Sequence, residues 1–130
     1  MIGLVVITHS GLATSLLRAA TMITGELERC QAVELHPDDP ADLLLGRLKE
    51  ALSEVGETNT IIMTDMFGGT PSNVAMSFLV PGSVEVLTGV NLPMMIEFFS
   101  RRERLPLEEL SAKLQQVGRD SVIIAGELLK

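Results

Sequence analysis

Two side chains able to carry group-transfer chemistry stand where the backbone turns: His9, in Thr8-His9-Ser10-Gly11, and Asp65, in Asp65-Met66-Phe67-Gly68-Gly69-Thr70. A neutral imidazole is nucleophilic through the ring nitrogen that lacks a proton. A carboxylate that accepts a hydrogen bond from the other nitrogen fixes the tautomer and steadies the positive charge that develops. That pairing is the orienting half of a catalytic triad. No serine or cysteine is required as nucleophile, so the histidine itself is the candidate attacker. A phosphoryl group is an electrophile whose histidine adduct lasts long enough to be passed on. Its oxygens need donors, and the candidates here are backbone amides and hydroxyls in place of lysines. Ser10 and Gly11 open one predicted helix, and Gly68, Gly69 and Thr70 open another. The glycines allow close backbone approach, and Thr70 adds a hydroxyl beside its expected role as helix cap.

For His9 and Asp65 to meet, the elements before them must be neighbours. Ile2 to Ile7 is a short β-branched run, too continuous for an amphipathic helix, and reads as a strand buried on both faces. Leu12, Ala13, Leu16, Leu17, Ala20 and Ile23 then recur at helical spacing up to a stop at Gly25. Cys30 to Leu35 is a second strand, and Asp39-Pro40 has the cap-plus-proline form ahead of a helix over Leu43 to Val55. Thr60 to Thr64 is a third two-faced strand, and Thr70-Pro71 repeats the cap signal ahead of a short helix over Ser72 to Leu79. A strand at Val84 to Leu87, helices at Leu92 to Ser100 and Leu107 to Val117, and a closing apolar strand over Ser121 to Leu128 complete the chain. Strands alternating with helices predict an α/β fold, a single doubly wound, mostly parallel sheet. At this length the flavodoxin-like order 2-1-3-4 is the natural candidate, with chemistry at the carboxyl ends of strands one and three. His9 and Asp65 occupy those two ends, on strands about 4.8 Å apart.

Composition narrows the function classes. The 130 residues, 46% of them hydrophobic and 21% charged, suit one domain over residues 1–130 with one sizeable core. A net charge of -7, no basic run, four Phe and neither Trp nor Tyr argue against nucleic acid as a partner and against a flavin carrier. The single cysteine, Cys30, excludes an intrachain disulfide, a CxxC pair and a thiolate zinc cluster, and fits a reducing compartment. No apolar stretch reaches the roughly 18 residues of a membrane span, so a soluble cytoplasmic protein is expected. There is no GxxxxGK[ST] for a nucleotide P-loop and no GxGxxG after the first strand. A receiver domain would carry acidic metal ligands where this chain has Thr8-His9. Neither metal nor cofactor is expected.

Three segments, Thr8-His9-Ser10-Gly11, Asp65-Met66-Phe67-Gly68-Gly69-Thr70-Pro71-Ser72-Asn73 and Gly89-Val90-Asn91-Leu92-Pro93-Met94, resemble the IIA component (EIIA) of the mannose-type sugar phosphotransferase system. They span most of the chain in the right order. The resemblance implies that His9 takes a phosphoryl group from phosphohistidine on the small carrier HPr and passes it to a IIB component. It implies that Asp65 orients the imidazole and that the segment around Thr70 helps hold the phosphate. It further implies a homodimer whose last strand is exchanged between subunits, and an indirect link to membrane IIC and IID components. Because the chain stops at Lys130, the IIB acceptor is expected to be a separate protein. Relatives serve dihydroxyacetone phosphorylation or act as regulatory, phosphorylation-dependent binding modules, so these are the alternatives to sugar uptake.

The remaining polar residues have plainer readings. His36 reads as a solvated loop residue, and a zinc site built from His9, His36 and Asp65 lacks any close ligand pair. Met94, Met95, Ile96, Phe98 and Phe99 read as core, and Arg101, Arg102 and Arg104 as a solvated helix end. Arg18 faces either the phosphate or solvent.

Overall fold

The computed structural model describes residues 1–25 and 28–130. The elements are β1 (Gly3–His9), α1 (Leu12–Thr24), β2 (Cys30–Leu35), α2 (Ala41–Val55), β3 (Thr60–Thr64), α3 (Thr70–Met76), β4 (Val84–Thr88), α4 (Leu92–Arg101), α5 (Leu107–Asp120) and α6 (Ala125–Leu128). All four strands run parallel in the order β2-β1-β3-β4. This is the doubly wound sheet that the alternating pattern predicts, with its switch point between β1 and β3.

The two-faced strands explain why the central runs are continuously apolar. Leu4, Val6, Ile61 and Met63 face α1, α4 and α5, where Leu17, Met95, Phe98, Leu110 and Leu114 close one core. Val5, Ile7 and Ile62 point the other way, onto Leu44, Leu48 and Leu52 of α2 and Val74 and Ala75 of α3. Alternate side chains of one strand thus serve two layers. Met94, Met95, Phe98 and Phe99 are core, as their spacing predicts, and Ile96 is half-buried. Gly25 ends α1 in the left-handed region, at φ 77°, and its amide bonds back to Thr21.

Four sequence-based expectations need correction. Asp39 does not cap α2: Pro40 holds the cap position, and the Asp39 carboxylate instead accepts from the His36 amide at 2.9 Å and from Arg47 at 2.7 Å. Those bonds, the His36 one first, hold its carboxyl below the usual range. Thr70 does not cap α3 either, because the helix starts at Thr70, two residues before the expected Ser72, and Gly69 takes the cap position, with Thr70 and Pro71 in the first turn. Arg102 is no solvated helix end. Its guanidinium is buried over the rings of Phe98 and Phe99, at 5.5 and 5.4 Å, and bonds to the Glu28 carbonyl, Met1 Sδ and Cys30 Sγ.

The fourth correction concerns the closing segment. Ser121 to Ile124 forms no strand, and a single helical turn, α6, follows it. Val122, Ile123, Ile124 and Leu128 are exposed. The path of the chain excludes a parallel strand at this point. Two helices, α4 and α5, follow β4, so the chain returns to the carboxyl end of the sheet, where Asn91 before α4 bonds to Gly118 and Ser121 at the end of α5. A chain leaving from that end cannot add parallel to β4 as a crossover strand would.

Asn91 is a cap the sequence reading passed over. Its Oδ1 accepts from the Met94 amide at 3.1 Å, and its Nδ2 donates to the Gly118 carbonyl at 2.9 Å and to Ser121 Oγ at 3.2 Å. Asn91→Ala should therefore lower unfolding free energy by about 1–2 kcal/mol in urea titration, the upper end of a lost helix cap. Asn91→Asp, which keeps the cap and loses the two donations, should fall between the two.

Candidate functional site

The sheet order carries His9 and Asp65 to adjacent strand ends. Ile7 pairs with Thr64 across β1 and β3, so the next residues along both strands emerge together at the carboxyl edge. There Asp65 Oδ2 receives two bonds from one residue: the backbone amide of His9 at 3.0 Å and ring Nδ1 at 2.8 Å. The other oxygen, Oδ1, accepts from the Met66 amide at 3.0 Å. The carboxylate is largely covered, at 13% side-chain exposure, whereas the imidazole is 46% exposed.

Burial by itself raises the Asp65 pKa, but the bonds from the His9 amide and ring, with the attraction of that ring, outweigh it and leave the group below its ordinary value of 3.8. At neutral pH the carboxylate is ionised and can only accept, so Nδ1 of His9 must donate. Nε2 then holds the free lone pair and faces away from Asp65. An imidazole held in this way is set to attack an electrophile through Nε2.

Gly69 stands against that nitrogen. A Cβ built on it would lie 2.9 Å from His9 Cε1 and 3.4 Å from Nε2, so only glycine lets the β3–α3 loop approach the ring this closely. Gly68 precedes it at φ 90°, in a conformation that favours glycine. Thr70 and Pro71 form the first turn of α3; Pro71 has no N–H, which leaves the amides of Gly69, Thr70 and Ser72 at that end. On the opposite side Gly11 caps α1. Ser10 has φ 51°, and its amide is spent on the Leu35 carbonyl at 2.7 Å, so only its hydroxyl remains to be offered.

The structure brings together His9, Asp65 and Gly69; Ser10 and Gly11 follow His9 in the turn into α1, and Gly68 and Thr70 flank Gly69 in the turn into α3. It keeps His36 apart. That ring pairs with Glu34 at 3.3 Å, on the side of β2 that faces α1. Arg18 is exposed on α1. Sequence reasoning missed Thr8, whose buried hydroxyl accepts from the Ala13 amide at 2.8 Å and donates to the His9 carbonyl at 3.1 Å. The only available signal was a hydroxyl residue ending an otherwise apolar strand. Among the described residues no helix is long and apolar enough to cross a membrane.

Known proteins match the chain along most of its length. A family model described as the PTS system fructose IIA component, EIIA-man, matches residues 3–115. The fructose-specific EIIA component of Bacillus subtilis (strain 168) is 30% identical over 132 residues, covering 100% of this chain and 90% of that protein. The mannose-specific EIIAB component of Escherichia coli (strain K12) is 32% identical over 124 residues, which cover 93% of this chain and 38% of that longer protein. Among solved structures, the mannose/sorbose specific IIA subunit from Enterococcus faecalis superposes with a TM-score of 0.85 at 32% identity, covering 95% of this chain and 93% of that one.

The depressed Asp65 pKa makes a stability prediction whose sign is set by linkage. A carboxylate with a lower pKa folded than unfolded stabilises the fold above its unfolded pKa, and that contribution is lost as pH falls through the folded one. The stability difference between the protein and Asp65→Asn, measured by urea unfolding, should therefore shrink as pH drops below about 4. A difference that does not shrink there removes the carboxylate's charge from the account.

Proposed function

The chain belongs to the EIIA-man family of phosphotransferase system IIA components, and from that premise we propose that it is a phosphohistidine carrier. In this reading His9 accepts a phosphoryl group from phospho-HPr and passes it to a histidine of a IIB component, for sugar uptake through a membrane permease of IIC and IID components. The carrier works from the cytoplasm as one EIIA domain spanning residues 1–130. The observation that carries the reading is the 2.8 Å bond from His9 Nδ1 to Asp65, which leaves Nε2 as the nucleophile.

The chemistry is a reversible in-line displacement. Nε2 of His9 forms a bond to phosphorus as the bond from phosphorus to the donor's imidazole breaks. That imidazole departs with the bonding electrons and becomes a neutral leaving group on the donor. The positive charge that develops on the His9 ring is balanced by the Asp65 carboxylate through Nδ1–H. The phosphoryl oxygens are received by the amides of Gly69 and Thr70, by the hydroxyls of Ser10 and Thr70, and by the N-terminal end of α1 at Gly11, with Gly68 giving the loop its bend. The second transfer, to IIB, runs the same step with His9 as the leaving group.

Incubation with phosphoenolpyruvate, Enzyme I and HPr should label His9 with an adduct that is lost in acid and survives alkali, as a phosphoramidate does. His9→Ala should take no label; normal labelling of that variant would overturn the assignment. Asp65→Asn should stay folded and transfer on the order of 10²-fold more slowly, because an amide can hold the wrong tautomer and cannot balance the imidazolium. Delivery of the label to a mannose-type IIB separates the transport role from a purely regulatory one.

We further infer a homodimer in which the closing segment pairs with a second copy. Its support is the exposure of Val122, Ile123 and Ile124, with Val122 lining a groove beside Val86, Leu87 and Thr88 of the edge strand β4. A strand added there from a partner satisfies that edge and covers the apolar side chains. Deleting residues 121–130 should give a destabilised, aggregation-prone monomer. A monomeric full-length protein at micromolar concentration in sedimentation would refute the exchange.

A further inference from the structure

We propose that Thr8 is a positioning residue for His9, holding the nucleophile and the start of α1 in one arrangement through a single buried hydroxyl. The inference rests on the phosphocarrier reading for its catalytic consequence and on the hydrogen-bond geometry for everything else.

The starting point is a missing cap. The N-cap of α1 is Gly11, which has no side chain, so none of the first-turn amides can be taken in the usual way. The Ala13 amide, which a cap side chain would ordinarily take, instead donates to Thr8 Oγ1 at 2.8 Å, from a residue of the preceding strand. The same hydroxyl donates its proton to the carbonyl of His9 at 3.1 Å. Thr8 is fully buried, so no water competes for either bond.

The consequence is that the backbone of His9 is gripped at both ends. Its N–H goes to Asp65 Oδ2 and its C=O to Thr8 Oγ1, while ring Nδ1 goes to that same Asp65 oxygen. Between His9 and the helix lies Ser10, at φ 51°, a conformation a serine adopts only where its surroundings hold it. Thr8 bridges that turn from inside. If the bridge is lost, the His9 carbonyl and the α1 amides are free to move relative to each other, and Nε2 loses its registration with Gly69. A second tie on α1, from Thr14 Oγ1 to Glu34 Oε2 at 2.5 Å, steadies the same turn of helix from β2 but does not touch His9. It supplies the control.

The experiment compares Thr8→Val, Thr8→Ser and Thr14→Ala in the full chain. Valine keeps the shape of threonine and removes both bonds; serine keeps the hydroxyl. In single-turnover transfer from phospho-HPr, Thr8→Val should lower the saturating rate about 10-fold or more and leave the half-saturating HPr concentration within about twofold, the signature of misplacement without lost docking. Thr8→Ser should recover most of the rate, and Thr14→Ala should transfer close to the unmodified rate. Amide exchange at Ala13 should quicken, and the His9 imidazole NMR signals should shift, in Thr8→Val and not in Thr8→Ser. If the valine variant does not fold, Thr8→Cys, a poor acceptor of near-serine size, takes its place with the same expectations.

Unchanged transfer by Thr8→Val, equal slowing by Thr8→Ser, or equal slowing by Thr14→Ala would each overturn the proposal. If the unmodified protein takes no label on His9, the phosphocarrier reading fails by itself. The His9 signals and Ala13 exchange then still judge the geometric part, and unmoved signals in Thr8→Val sink it.

Discussion

One carboxylate oxygen organises the functional end of this molecule. Asp65 Oδ2 accepts both the backbone amide and the ring Nδ1 of His9, so it sets where the residue sits and which way its imidazole turns. The two bonds reinforce each other: the backbone bond anchors the Cα, and a ring on a fixed Cα has few rotamers that reach the same oxygen. The arrangement requires that β1 and β3 be adjacent, parallel and in register, which the pairing of Ile7 with Thr64 secures. The core serves that requirement, since the two-sided burial of β1 and β3 between α1, α4 and α5 on one face and α2 and α3 on the other leaves neither strand room to slip.

The charge economy of the site is unusual for a protein that handles phosphate. The chain carries a net charge of -7, and the crest loops between residues 34 and 46 and between 64 and 76 hold no lysine or arginine. Arg47, just beyond, is tied to Asp39. Under the phosphocarrier reading, the phosphoryl group is received by amides and hydroxyls and its charge is offset by a protonated imidazole ring and helix ends. Weak, local binding suits a group that must leave again; a lysine clamp would hold it longer than a carrier needs.

Particular residues show why some of the structure escaped the sequence reading. Asp39-Pro40 and Thr70-Pro71 carry the same cap-plus-proline signal, and in both the helix begins where the hydroxyl or carboxylate does not cap. In the first, Arg47 lies one helical turn and more along α2 and competes successfully for the carboxylate. In the second, Gly69 takes the cap position and Thr70 falls inside the first turn, past the position from which a side chain caps. Arg102 sits among Arg101 and Arg104 and reads as solvated, yet Phe98, one turn back, and Phe99 supply a pocket of aromatic faces that charge patterning does not register. Asn91 lay inside a motif whose function its composition did not explain; its bonds reach residues 27 and 30 positions away, beyond any local pattern.

By itself the sequence determined the layer architecture, the strand order and the meeting of His9 with Asp65. These follow from the period of the apolar residues and from the few parallel topologies that crossovers of this length permit. Tertiary structure alone decided which ring nitrogen is free, because that depends on the 2.8 Å approach of one carboxylate oxygen to Nδ1. It decided that Thr8 caps α1 from the strand, because that bond needs the turn by which α1 folds back from β1, and that the Ser10 amide is already spent, because its carbonyl partner is there only once β1 lies beside β2. It also decided that Ser121 to Ile124 is not a strand of its own sheet. An apolar β-branched run demands a partner, and two helices after β4 return the chain to the carboxyl end of the sheet, where only antiparallel pairing with β4 is open to it; residues 121–124 make no such pairing, and that is a fact of path, which no local preference encodes.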